Sequence, residues 1–177
     1  MTRIGLPSVL ERFRPREILA VFERHQVDYV LIGGFAAVVH GSPIPTADVD
    51  ITPEASAANL TRLSAALTEL AARARAEGVE DGVPFGHDAD SLAAVGVWNL
   101  TTAYGDLDIS FVPTGTQGYS DLRRDAVEVT LRGVRVPLAS LADIVRSKAA
   151  AGRPRDLRAL PVLRELLARQ GHGRNAD

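Results

Sequence analysis

The stretch from Tyr29 to Ile51 most limits how this chain can fold: two short apolar strands are separated there by a Gly-Gly turn and a proline-bracketed loop. Tyr29-Val-Leu-Ile32 is a continuous apolar run that stops at Gly33-Gly34, the pattern of a buried strand entering a tight turn. Phe35 to His40 reads as a short helix. Gly41-Ser-Pro-Ile-Pro45 cannot be regular, because the prolines on either side of Ile44 block both helix and ladder. Val49-Asp50-Ile51 follows as the centre of a second strand. Alternate residues of a strand share a face, so Asp48 and Asp50 present their carboxylates together while Val49 and Ile51 face the core.

Two carboxylates so placed repel one another and raise each other's pKa unless a cation lies between them. Magnesium or manganese, hard divalent ions that take carboxylate and phosphate oxygens, resolves the conflict. Upstream, Gly33 and Gly34 allow backbone N–H groups to approach a polyphosphate with no Cβ in the way. Two-metal phosphoryl chemistry needs more ligands than one pair of acids supplies. In Leu107-Asp-Ile-Ser-Phe111, the buried face is Leu107, Ile109 and Phe111, leaving Asp106, Asp108 and Ser110 on the other. Asp108, inside the strand, is preferred over Asp106 at the turn, because an acid in mid-strand costs stability unless something uses it.

Around this segment the pattern predicts a helix over Pro15 to His25, with Pro15 in its first turn. A long Ala- and Leu-rich helix is expected from Ala55 to Glu77, stopped by Gly78, and a loop over 78–91. Val95–Thr102 and Leu107–Val112 read as a hairpin joined by Tyr104-Gly105, and Asp125–Pro137 as a second one around Arg132-Gly133. Ser140, with Asp143 in capping-box position, opens a helix that ends at Gly152; Pro154 opens the last, which ends near Gln170 before a frayed tail. The expected architecture is a single α+β domain over 1–177, a small mixed β-sheet flanked by helices. Its core spans about 14–137, with a helical C-terminal part at about 138–170.

Composition narrows the function. A net charge of −2 excludes a globally basic nucleic-acid binder. The charge is nonetheless uneven, with 8 basic and 15 acidic residues before position 121 and 12 and 7 after it. Such a molecule can hold metal at one end and phosphate at the other. Among 20 basic residues only Lys148 is lysine, which hints at a site needing a compact point charge rather than a planar fork. The absence of cysteine rules out disulfides and zinc–thiolate sites. No apolar run approaches the ~18 residues of a membrane span, and the N-terminus lacks a signal-peptide core. A cytoplasmic protein with no membrane contact is the expectation.

The pattern Gly33-Gly34-x-Ala36, His40-Gly41, Thr46-x-Asp48-x-Asp50 resembles the DNA polymerase β-type nucleotidyltransferases, and more narrowly the AbiEii/MenT group of toxin-like nucleotidyltransferases. Downstream, Ser147-Lys148-Ala149-Ala150 followed by Arg153-Pro-Arg-Asp156 resembles that group's Lys…Arg-x-x-Asp signature. The resemblance spans roughly positions 29 to 160. It implies the nucleotidyltransferase (polymerase β-like) fold, with NTP as substrate and pyrophosphate released. Asp48, Asp50 and Asp108 would hold the metals. Gly33, Gly34 and the Thr46 hydroxyl would contact the β- and γ-phosphates, and Lys148 would neutralise phosphate charge. Asp156 would lie near the nucleotide and orient Lys148 or the base. Likeness to the MenT group further implies transfer of CMP or another pyrimidine nucleotide to the 3′ end of tRNA by the toxin of a toxin–antitoxin pair. A kinase-type antitoxin would phosphorylate Thr46, adding about −2 charge beside the metal carboxylates. One departure stands out: Ile44 occupies the position at which the group places an arginine, so altered acceptor specificity is expected.

Other features have plainer readings beside the functional ones. His40 fits a structural hydrogen bond, and His87-Asp88-Ala-Asp90 a solvated turn rather than a metal site. Trp98 and Tyr104 fit hairpin packing better than base stacking. Arg153, Arg155 and Arg158 fit an RNA track and a solvated helix face equally. Two functional alternatives remain: a small-molecule, antibiotic-type nucleotidyltransferase, favoured by an acceptor pocket rich in carboxylates, and a non-catalytic binding or antitoxin protein of the same fold.

Overall fold

The computed structural model describes residues 12–174; the N-terminal stretch 1–11, read as part of a leaderless N-terminus, and the last three residues of the tail read as frayed lie outside them. In chain order the elements are α1 (Pro15–Arg24), β1 (Tyr29–Ile32), α2 (Gly33–Val39), β2 (Asp48–Pro53), α3 (Ala57–Glu69), β3 (Arg73–Ala76) and β4 (Val79–Val83). There follow α4 (Ala89–Ala93), β5 (Val97–Thr102), β6 (Gly105–Ser110), α5 (Tyr119–Arg124), β7 (Val127–Leu131), β8 (Val134–Leu138), α6 (Leu141–Ala151) and α7 (Pro154–Arg174).

All eight strands join one sheet in the order β4-β3-β5-β6-β2-β1-β8-β7. The β2–β6 and β1–β8 pairs are parallel and the rest antiparallel, so the sheet is mixed, as expected. Register sorts the side chains. Leu31 stands opposite Ile51 and Val49 opposite Leu107, and all four are fully buried. Tyr29, on that same face, packs on Phe22 of α1 with ring centroids 5.2 Å apart. α1 packs in turn against α3, so these two helices bury one face through Ile18, Leu19, Phe22, Leu60, Leu63 and Leu67. Each such side chain contributes about 1.5–3 kcal/mol of burial. The opposite face is left to Asp48, Asp50, Asp106 and Asp108, roofed in part by α2 and the C-terminal pair α6 and α7.

The long helix expected over Ala55–Glu77 is two kinds of element. α3 is capped by Ser56, whose side chain accepts from the Asn59 N–H, and it stops at Glu69. Ala71 then turns left-handed at φ 51°, and its N–H and that of Ala72 donate back to Thr68 and Leu67. Arg73-Ala-Arg-Ala76 re-enters the sheet as β3. Ala and Arg favour helix locally, but the period-two alternation turns Ala74 to the core side, where it pairs with Leu100 of β5. Tertiary pairing overrides propensity here. The expected loop over 78–91 likewise holds β4 and the start of α4, whose Asp88 cap accepts from the Ser91 N–H at 3.0 Å. α5 is a further element the sequence pattern did not show.

Both hairpins form as expected, and α6 is capped by Ser140 with Gly152 left-handed at its end. α7 carries Pro161 internally and runs beyond Gln170. Among the described residues no helix is long and apolar enough to cross a membrane.

Candidate active site

The parallel pairing of β2 with β6 sets Asp48 opposite Asp106 and Asp50 opposite Asp108. Oxygens of Asp48, Asp50 and Asp108 all lie within 4.8 Å of one another. These three acids, expected from three positions of the sequence pattern, therefore converge. Asp106 is drawn aside: its Oδ2 accepts from Arg75 Nη1 at 2.7 Å, and Arg75 Nη2 also donates to Asp108 Oδ1.

Burial and like charge act together on the cluster. Burial above all, then the charges of Asp48 and Asp108, push Asp50 up to about 7, against the smaller pull of Lys148 and Arg155. Burial also raises Asp108, to about 6, with Arg75 opposing it and Asp48 and Asp106 adding to it. A divalent cation among these oxygens would remove the repulsion. The all-oxygen donor set suits magnesium or manganese, with phosphate and water completing the shell. The residues present thus fit the metal that the motif implies.

Gly33 opens α2 at φ +75°, and an added Cβ there would come within 2.7 Å of Asp50 Cγ. Its lack of a side chain admits the Asp50 carboxylate. At Gly34 a Cβ would come within 2.9 Å of Thr46 Oγ1, and that hydroxyl donates to Asp48 Oδ1 at 3.3 Å. The proline-bracketed loop is thereby folded back onto the start of α2. Gly33, Gly34, Thr46 and the three acids line one cleft of about 690 Å³.

Lys148, on α6, lines the same cleft. Its Nζ lies 3.4 Å from Asp156 Oδ1, and Arg153 Nε donates to Asp156 Oδ2 at 2.7 Å. Asp156 is fully buried behind Lys148. Burial alone would raise its pKa, but the Arg153 and Lys148 cations hold the carboxyl below its usual range. Asp156 contacts Lys148 and does not itself line the cleft.

Two further residues reach the site without having been singled out for it. Arg155 lines the cleft and its charge is felt by Asp50 and Asp108; the sequence offered it only as one of three arginines fitting an RNA track or a solvated helix face equally. Arg75 was hidden in the expected helix. Ile44 lines the cleft wall and is 37% exposed. The remaining features make structural contacts, with Asp88 capping α4 rather than standing in a solvated turn. His40 Nε2 donates to the Ala139 carbonyl at 2.8 Å, tying the end of α2 to the turn between β8 and α6. His87 Nδ1 meets Ser64 Oγ, and Trp98 packs on Phe85 while its indole N–H donates to the Leu92 carbonyl.

No protein-family model matches the chain, and no curated protein matches its sequence. Solved structures do match. The lincosamide antibiotic adenylyltransferase LnuA, with lincomycin bound, superposes with a TM-score of 0.57 at 17% identity, covering 86% of this chain and 95% of that one. A candidate nucleotidyltransferase from Thermotoga maritima gives 0.54 at 18% identity, with 89% and 96% covered. ANT(2″)-Ia in complex with adenylyl-2″-tobramycin gives 0.53 at 14% identity, with 92% and 95% covered. At these identities the likeness is one of architecture, and the chain has the polymerase β-like nucleotidyltransferase fold.

Proposed function

We propose that this protein is a metal-dependent nucleotidyltransferase that moves an NMP from an NTP to an acceptor hydroxyl. The observation that carries the reading is the convergence of Asp48, Asp50 and Asp108 in one cleft with Lys148. A bound divalent ion would supply Lewis-acid stabilisation of the triphosphate and lower the pKa of the attacking hydroxyl. Asp48 and Asp50 would hold the ion, and Asp108 would complete the set and take up the hydroxyl proton. Lys148, fixed by Asp156, offsets charge on the phosphates, which Gly33, Gly34 and the Thr46 hydroxyl flank. The acceptor oxygen bonds to the α-phosphorus, the α–β bridging P–O bond breaks, and pyrophosphate leaves.

For the acceptor, a small molecule is the better-supported class. The cleft is the size of a small-ligand site, and the superposable proteins include a lincosamide adenylyltransferase and one bound to adenylyl-tobramycin. Transfer of a pyrimidine nucleotide to the 3′ end of tRNA, as a toxin with a kinase-type antitoxin acting on Thr46, is the second reading. Exposed Arg155 and Arg158, at the start of α7, favour it. The test incubates the protein with each α-labelled NTP and Mg2+ or Mn2+, offering total RNA in one arm and a panel of hydroxylated antibiotics in the other, with Asp48→Ala as control. Label in a small molecule supports the first reading and label in tRNA the second. No label in any arm would favour a binding protein of this fold.

A further inference from the structure

Arg75 reaches the candidate metal strand from a part of the sheet that the motif does not touch. It lies on β3, and β5 stands between β3 and β6. The pairs Arg73–Thr101 and Ala74–Leu100 place Arg75 beside Asn99, which in turn stands opposite Asp108. Neighbouring strands are about 4.8 Å apart, so the β3 and β6 backbones lie about 10 Å apart, and Arg75 and the β6 carboxylates reach toward each other over β5 to meet. There its guanidinium forks, one arm on Asp106 Oδ2 and the other on Asp108 Oδ1, which leaves Asp108 Oδ2 free of this contact.

We propose that Arg75 is a positioning residue that fixes the Asp108 carboxylate so that its second oxygen meets Asp48 and Asp50, strengthening divalent-cation binding despite its own positive charge. The inference rests on the metal-dependent reading above. Asp106 is what makes the arrangement more than a counter-ion. It belongs to the same strand as Asp108 but lies outside the three-acid cluster, so it tethers Arg75 whether or not a cation is present. Arginine suits the task because a planar fork sets two acids in one geometry, whereas an ammonium is a single point of charge. The fork also couples the β3–β4 hairpin to the catalytic strand. Arg73, one pleat away, instead donates to the Asp81 and Gly82 carbonyls and holds the hairpin itself.

A mere counter-ion and a positioning residue predict opposite outcomes. A counter-ion must be displaced by the metal, so its removal tightens cation binding. A positioning residue is needed by the metal, so its removal loosens it. The experiment titrates the full chain, without nucleotide, with Mn2+ and reads free Mn2+ by electron paramagnetic resonance, with circular dichroism verifying the fold of each variant. Arg75→Ala and Arg75→Lys are each expected to weaken Mn2+ binding by about tenfold or more, with Arg73→Ala close to the native protein. The proposal is overturned if Arg75→Ala binds Mn2+ as tightly as the native chain or more tightly. It is equally overturned if Arg75→Lys keeps full affinity, since lysine cannot bridge both acids, or if Arg73→Ala loses as much, since the cause is then a loosened hairpin. A native chain that binds Mn2+ no better than its Asp48→Ala variant defeats the proposed function itself, and that result is distinct from the others.

Discussion

Asp50 on β2 and Asp108 on β6 stand directly opposite one another in a parallel strand pair. Their spacing is therefore set by the backbone ladder, and only the chemistry at their tips is open to change. Asp50→Asn and Asp108→Asn preserve volume and are expected to lower nucleotide transfer by on the order of 10²–10³-fold, as loss of a metal ligand costs several kcal/mol of transition-state stabilisation. Labelled-NTP transfer measures this, with circular dichroism unchanged. Near-native turnover in either variant would remove that carboxylate from the mechanism.

Cation binding should release protons. Asp50 titrates at about 7 and Asp108 at about 6 in the metal-free protein, so at pH 6 Asp50 is largely protonated and must ionise to hold a cation. Calorimetry with Mn2+ in buffers of different ionisation enthalpy is expected to show net proton release at pH 6 and almost none at pH 8.5. The same shift bears on stability. A carboxyl whose pKa is raised on folding keeps a proton that the unfolded chain has already given up, so its stabilising share fades as pH climbs from about 4 to about 7. Mn2+ should restore the loss, and Asp50→Asn should flatten the profile.

Gly33 is constrained twice, by its left-handed backbone and by the Asp50 carboxyl beside it. Gly33→Ala forces either the turn or Asp50 to move. The expected cost is about 1–3 kcal/mol in denaturant unfolding, together with weaker Mn2+ binding. Gly78→Ala is the useful comparison: it has the same φ but no atom within 4 Å of its Cβ position, so it should lose stability and leave metal affinity intact.

Asp156 holds two cations while fully buried. Asp156→Asn is expected to cost about 2–3 kcal/mol, less than orphaning a fully buried charge, because Arg153 can turn to water. Lys148, released from its partner, should bind NTP more weakly, seen as a raised KM for NTP larger than any fall in kcat.

The sequence made the central motif legible because its cues are local. A strand's alternation assigns Asp48, Asp50 and Asp108 to one face without knowledge of the sheet, and Pro43 and Pro45 rule out regular structure between α2 and β2. What stayed hidden depended on pairing across distance. Arg73-Ala-Arg-Ala76 has the composition of a helix end, and only its partnership with β5 makes it a strand. Arg75 therefore fell inside the helix expected over Ala55–Glu77, and its contact with Asp108, across β5, had no local sign. Asp156 was visible as an acid in a motif, but its burial behind Lys148 appears only when α7 folds back against α6.

One residue of slippage along β2 would turn Val49 and Ile51 into the cleft and drive Asp48 and Asp50 among Leu31, Leu107 and Ile109. The hydrophobic layer and the acidic layer are thus two sides of a single choice of register, so the chain has no well-packed state in which the acids are misplaced. Weakening the core, as with Ile51→Ala, should thin the population of competent molecules while each one that remains folded works at the native rate.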